Sequence, residues 1–165
     1  MSNKDIIILQ PKYVADFQCD GSKCNAKCCG KWRIDIDMDT YKKYQRIKNP
    51  AMRKKILSSI QPSTIQTGFQ IKLNDKAVCP LLCEDNLCYI QRNMGEGALS
   101  QTCKVYPRMV QQIGNYQFRM LAMTCPVAAE SALLSPNAME LQQISCEEDT
   151  SAWKLIAKNC NMKNV

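Results

Sequence analysis

The sequence contains no histidine, and that one absence removes a large share of known catalytic chemistry. Neither a Ser–His–Asp triad nor a Cys–His pair can be built. Histidine-containing zinc sites and Rieske-type ligation are excluded as well. General-base work, if any, falls to Asp, Glu, Lys, Tyr or a thiolate. No two cysteines are spaced as CxxC, so a zinc ribbon with two such knuckles is excluded too. Long apolar runs are missing. The run Ile6-Ile7-Ile8-Leu9 is too short for a signal-peptide core, and no later stretch approaches a membrane span. The expectation is a cytoplasmic protein without membrane association, in a compartment that keeps thiols reduced.

What the chain has in quantity is cysteine. There are eleven, an odd number that cannot pair completely into disulfides. Four of them, Cys19, Cys24, Cys28 and Cys29, fall within residues 19–32, and the run ends in an adjacent pair followed by Gly30-Lys31-Trp32. A second group, Cys79, Cys83 and Cys88, follows, with Cys103 and Cys125 beyond it. Thiols of this density select zinc, Cu(I) or iron–sulfur clusters over hard cations. The alternatives are disulfides and buried small hydrophobes, and vicinal Cys28-Cys29 is poor disulfide material. Cys19, Cys24 and Cys28 read C-x4-C-x3-C, near the plant-type ferredoxin spacing without matching it. Spacing therefore points to an all-sulfur metal site and leaves iron–sulfur and zinc both open.

The formal charge of +7 counts every thiol as neutral. An all-Cys four-iron cluster contributes about −2, as does zinc held by four thiolates, so the balance falls to about +5 with one site and about +3 with two. The mildly basic surface is expected to be solvated, with a protein partner the next reading and nucleic acid last.

At 165 residues the length suits one domain. Ile6 to Leu9 reads as a short buried strand closed by Pro11. Residues 32–37, 69–73 and 116–123 alternate apolar and polar side chains and read as strands that pair. A Lys-rich helix opens at Asp39 or Thr40. Pro50 starts a second that runs to Ile60, and 61–67 is a polar connection. Shorter helices are expected over 89–94, stopped by Gly95, and over 97–104. Tyr106-Pro107-Arg108 reads as extended or turn, since proline disfavours helix in the residue before it. Cys125-Pro126 opens a further helix, and another starts near Pro136. The fold expected is α+β: a small, irregular, metal-stapled domain of short helices with a minor antiparallel sheet. The cysteine-cluster domain spans 1–145, with a helical tail over 146–165.

Several motifs together resemble a known family. Gln10-Pro11-Lys12-Tyr13, the cysteine run and Ile34-Asp35-Ile36-Asp37 look like the start of the flagellin lysine N-methylases, within a wider cysteine-cluster family described as zinc- or iron-chelating. Cys79-Pro80-Leu81-Leu82, Asn86-Leu87-Cys88 and Gly95-Glu96 resemble its second block. Leu99-Ser100-Gln101-Thr102-Cys103 and Tyr106-Pro107-Arg108 resemble its third, and Thr124-Cys125-Pro126 its fourth. The resemblance covers roughly residues 8 to 134. Val127 and Glu130 stand where the family has Glu and Arg, and the family's methylases are longer than this chain.

The resemblance implies eight metal-ligating cysteines: Cys19, Cys24, Cys28, Cys29, Cys79, Cys88, Cys103 and Cys125. Cys83, Cys146 and Cys160 have no clear counterpart and read as ordinary thiols, with Cys83 the one that could be an exception. It further implies methyl transfer from S-adenosylmethionine to lysine side chains of flagellin, by a protein-lysine N-methyltransferase carrying an iron–sulfur cluster of the 4Fe-4S type, with zinc as the alternative. Tyr106 and Arg108 are the expected catalytic pair, the phenol assisting the amine and the guanidinium pairing with a carboxylate. The six glycines are scattered, so the glycine-rich loop of doubly wound methyltransferases is not expected. Two rivals belong to other classes: a non-catalytic cysteine-rich module that binds a protein partner, and a thiol redox sensor with an exposed, low-pKa cysteine.

Overall fold

The computed structural model describes residues 6–19, 21–24, 26–65, 68–144, 152–153 and 155–156. In chain order its elements are β1 (Ile7–Pro11), α1 (Lys12–Ala15), β2 (Asp35–Ile36), α2 (Met38–Gln45), α3 (Pro50–Ser58), β3 (Ile60–Pro62), β4 (Phe69–Ile71), α4 (Tyr89–Met94), α5 (Gln101–Val105), β5 (Arg108–Ile113), β6 (Tyr116–Leu121), α6 (Pro126–Leu134) and β7 (Leu141–Ile144). Short 3-10 turns lie at Gly21–Cys24, Lys27–Cys29 and Glu96–Ala98. The class is α+β, as the sequence predicts. Backbone packing divides the chain into two compact units, Met1–Asp20 with Val105–Val165, and Gly21–Lys104.

The first unit is built on a four-stranded sheet in the order β5-β6-β1-β7. β5 and β6 form an antiparallel hairpin closed between Ile113 and Tyr116. Its two-residue loop begins with Gly114 at φ +61°, the left-handed conformation that such tight loops need. β1 lies parallel to β6 and antiparallel to β7, so this sheet is mixed rather than antiparallel. The predicted strand at Ile6 to Leu9 is therefore an interior strand. The helix expected near Pro136 is replaced by turns and by β7, because Leu141–Ile144 pairs with the other side of β1. β7 is largely exposed, and an exposed edge strand shows no alternation to read. The core holds Tyr13, Val14, Leu121, Cys125, Ala128, Ala138 and Trp153. Of the predicted tail, Ala152, Trp153, Leu155 and Ile156 are helical, and the remainder of 146–165 lies outside the described residues.

The second unit carries an antiparallel sheet in the order β2-β4-β3. Two of the three strands expected to pair do so, with Asp35 opposite Gln70 and Ile36 opposite Phe69. The third, at Tyr116–Leu121, belongs to the other sheet. The α2 helix starts at Met38, slightly earlier than predicted, because Asp37 is its cap. The Asp37 carboxylate accepts the Thr40 N–H at 2.9 Å. Asn49 caps α3 in the same way, with Pro50 in its first turn. This helix ends at Ser58, and Ile60 goes into β3. The helix expected over 97–104 is broken at Leu99-Ser100 into a 3-10 turn and α5, while 89–94 is helical as predicted. The core gathers Ile34, Ile36, Tyr44, Ile47, Ile56, Ile71, Leu81 and Ile90.

Asp37 also joins distant parts of this unit, since its Oδ2 accepts the Gln101 N–H at 3.0 Å and the Thr40 hydroxyl at 2.9 Å. Burial works against its charge, but these bonds outweigh it and hold the carboxyl below its ordinary 3.8. A group with a depressed folded pKa stabilises the fold above its unfolded pKa and loses that contribution as pH falls through the folded one. Asp37→Ala is therefore expected to cost about 1–2 kcal/mol at neutral pH. The deficit should shrink as denaturation is followed below pH 3.8. An equal deficit at every pH would refute this role.

Candidate metal centre

The two cysteine groups of the second unit meet through their backbones. Ala26 takes a left-handed φ of 47° ahead of the 3-10 turn Lys27–Cys29, and the Cys29 N–H closes on the Ala26 carbonyl at 2.8 Å. Trp32 braces the turn, its indole N–H donating to the Cys28 carbonyl at 3.1 Å. The strand-like partner arrives from residues 77–79. Gly30 bridges to Val78, the Lys31 N–H donates to Ala77 O at 2.7 Å, and the Cys79 N–H donates to Cys29 O at 2.7 Å. Beyond Cys79 the chain folds back so that Leu82 bridges to Cys88, and Cys88 caps α4. Cys103 sits on α5, where its N–H donates to the Ser100 hydroxyl at 3.3 Å.

Gly30 is what lets the two segments touch. Its φ of −179° is ordinary extended backbone, so its role is steric. An added Cβ would lie 2.7 Å from the Ala77 carbonyl oxygen and 3.2 Å from Val78 Cα. Gly30→Ala is expected to push residues 77–79 away at a cost of about 1–3 kcal/mol, and to weaken metal retention with it. A chain with that substitution and unchanged stability would show that the close approach is dispensable.

The side chains converge accordingly. The Sγ atoms of Cys28 and Cys29 are 3.9 Å apart. A charge on Cys28, Cys79 or Cys88 raises the pKa of the Cys29 thiol, and Cys103 feels Cys88, Cys79 and Cys28. Burial is the largest influence on Cys79 and Cys103, pushing them up to about 11 and about 12. The hydrogen bond within the adjacent pair lowers Cys28 to about 7 and raises Cys29. That pair thus yields one proton readily and holds the second. Metal-free, most of this pocket is neutral thiol, and ligation must displace protons, as soft-metal sites do.

Eight cysteines were expected as ligands, and five of them, Cys28, Cys29, Cys79, Cys88 and Cys103, lie in the second unit, where a charge on one is felt by others of the set. Cys24 is half-buried in the same unit, its Sγ donating to the Gly21 carbonyl at 3.3 Å. Cys19, exposed, and Cys125, buried at the start of α6, belong to the first unit. Cys83 is half-buried in the turn before Cys88. Cys146 and Cys160 lie outside the described residues. Every described cysteine is free of disulfides. Among the described residues no three donors stand, as placed, close enough to share a single ion. The Cys28–Cys29 spacing nevertheless matches the roughly 3.8 Å edge of a tetrahedron with 2.3 Å metal–sulfur bonds. An unpaired, all-sulfur donor set fits a soft metal.

Tyr106 and Arg108 fall in the first unit. The Tyr106 hydroxyl is 3.1 Å from Thr124 Oγ1. The Arg108 guanidinium lies over the rings of Phe17, at 5.6 Å, and Trp153, at 5.8 Å. A second arginine, unnoticed in the sequence, shares that indole: Arg119, only 2% exposed, is 4.9 Å from Trp153. On β6 it is Gln117, Arg119 and Leu121 that are buried, with Phe118 and Met120 only half so. An alternation read for its apolar members points the wrong way here. The usable signal was the placement of Arg108 and Arg119 on facing strands.

The flagellar biosynthetic protein FliU of Salmonella muenchen is 35% identical over 142 residues, covering 84% of this chain and 83% of that protein. Proteins named lysine-N-methylase from Salmonella choleraesuis (strain SC-B67) and Salmonella typhimurium (strain LT2) are 34% and 33% identical over 151 residues, 89% of this chain. The chain belongs to the lysine-N-methylase and FliU family. The chain spans 37% of the length of either lysine-N-methylase. No protein-family model matches the chain, and no solved structure does. Among the described residues no helix is long and apolar enough to cross a membrane.

Proposed function

We propose that this chain is the cysteine-rich, metal-holding part of a lysine N-methyltransferase that takes methyl groups from S-adenosylmethionine to lysine side chains of flagellin. One observation carries the reading: five cysteines free of disulfides, drawn from separate stretches of sequence, lie in one unit of a chain about 34% identical to proteins named lysine-N-methylase. Four of Cys28, Cys29, Cys79, Cys88 and Cys103 would hold an iron–sulfur cluster, or zinc in its place. When bound, that group supplies a Lewis-acidic centre able to fix the amino-acid end of the methyl donor.

The chain's own residues do the remaining work. The target Nζ must lose its proton, because only the free lone pair can form the new N–C bond as the sulfonium S–C bond breaks. An exposed lysine is mostly protonated at neutral pH. The Tyr106 hydroxyl, held at 3.1 Å from Thr124 Oγ1, is the group assigned to orient the amine and receive its hydrogen bond. Arg108, lying over the rings of Phe17 and Trp153, carries a planar donor fork that suits a carboxylate.

The decisive experiment measures iron, zinc and acid-labile sulfide on anaerobically purified protein, then radiolabelled methyl transfer to flagellin. Brown protein with about four irons and four sulfides and transfer to lysine is the expected result. Fully metallated protein that transfers nothing would sink the enzyme reading. In its place would stand a non-catalytic metal-binding module that docks on a protein partner.

A further inference from the structure

Between Asp39 and Asp75 the sequence has no acidic residue and eight basic ones. Seven of them, Lys42, Lys43, Arg46, Lys48, Arg53, Lys54 and Lys55, lie on α2, on α3 or in the short link joining them, and all seven are exposed. The two helices pack against each other. Among the described residues the ion pairs are Arg33–Asp35 and Arg92–Asp85, and neither reaches any of the seven. Lys55 lies over the Tyr89 ring at 4.1 Å and Arg53 donates to the Ile47 carbonyl. A solvated helix face ordinarily mixes both signs, so this one is lopsided.

We infer that the exposed face of α2 and α3 is a docking surface for a carboxylate-rich segment of a protein. Charge complementarity selects the partner's sign, and the surroundings select its class. Inserting into a bilayer needs an apolar face, but Tyr44, Ile47 and Ile56 are buried in the core. Sequence-tolerant nucleic-acid binding stacks bases on aromatic rings, whereas Tyr41 is already stacked on Phe69 and Tyr44 is buried. A target lysine is itself cationic and is repelled here, so the face engages carboxylates elsewhere on the partner. The inference rests on the methylase reading only in taking that partner to be the substrate protein.

The test measures fluorescence anisotropy of a labelled oligoglutamate peptide with the full chain, without methyl donor, at low and at physiological salt. Lys42→Glu/Lys54→Glu is compared with Lys72→Glu/Lys76→Glu, which makes the same change in net charge at exposed positions off these helices. The wild type should bind and weaken with salt. The helix variant should lose about fivefold or more and the control less than about twofold. Equal losses, no binding, or tighter binding of a single-stranded oligonucleotide of matched charge would each overturn the inference. Because no methyl transfer is read, failure here leaves the methylase reading standing, and inactive metallated protein leaves this surface standing.

Discussion

Cys79→Ser is expected to reduce bound metal by an order of magnitude or more while leaving a folded chain. Cys79 is the point where the two cysteine groups join, its N–H bonded to Cys29 O at 2.7 Å. That backbone bond does not depend on the side chain, so serine keeps the architecture and changes only the donor. A hydroxyl is a hard, weakly acidic ligand and a poor substitute for thiolate toward zinc or iron–sulfur. Loss of a conserved support around a ligand already costs about 10–100-fold in affinity, and loss of a ligand should cost no less. Cys83→Ser is the control, for Cys83 is a half-buried thiol in the neighbouring turn. Metal content and circular dichroism of both variants decide the matter. Equal metal in Cys79→Ser and the wild type would remove Cys79 from the ligand set.

The second large effect is on stability. Ile56→Ala should destabilise the second unit by about 2–5 kcal/mol. Ile56 is 0% exposed and lies in the core that includes Ile34, Tyr44, Ile71 and Leu81. It faces inward on an α3 whose remaining positions are mostly polar and exposed, so the helix is fixed to the unit chiefly by this side chain. Truncation removes the transfer free energy of the lost carbons and leaves a cavity that a packed core refills poorly. Lys54→Ala, one turn-face away on the same helix and exposed, should change stability by less than about 0.5 kcal/mol. Denaturant melts of the two variants give the comparison. Similar losses would mean that α3 is held by something other than Ile56.

Local signals were legible where one physical rule acted alone. Pro50, Gly95 and Pro126 each set a helix boundary that the structure keeps. The alternation at 69–71 and 35–36 gave a real pair of strands. Reading failed where partners far along the chain decide. Asp37 was passed over as a cap because its value depends equally on Gln101, many residues later. β7 and β5 carry no alternation, since edge strands expose most of their residues. The thiol pocket was half legible: cysteine density announced a soft-metal site, but only the bridge from Gly30 to Val78 selects which cysteines meet. Arg119 escaped because its burial follows from a tryptophan more than thirty residues later in the chain.

The order of the strands in the four-stranded sheet has a consequence for how the chain is made. β1 leaves the ribosome well before its partners, residues 116–118 and 141–144. The segment Gly21–Lys104 is contiguous and has all of its own strands and core in hand long before then. Synthesis proceeds from the N-terminus, so the unit bearing the thiol pocket can close first. Meanwhile Ile7, Ile8 and Leu9 wait with both backbone edges open, the condition under which a strand is captured by the wrong neighbour. The brevity of β1 and the proline at its end, Pro11, are the features that make this wait tolerable.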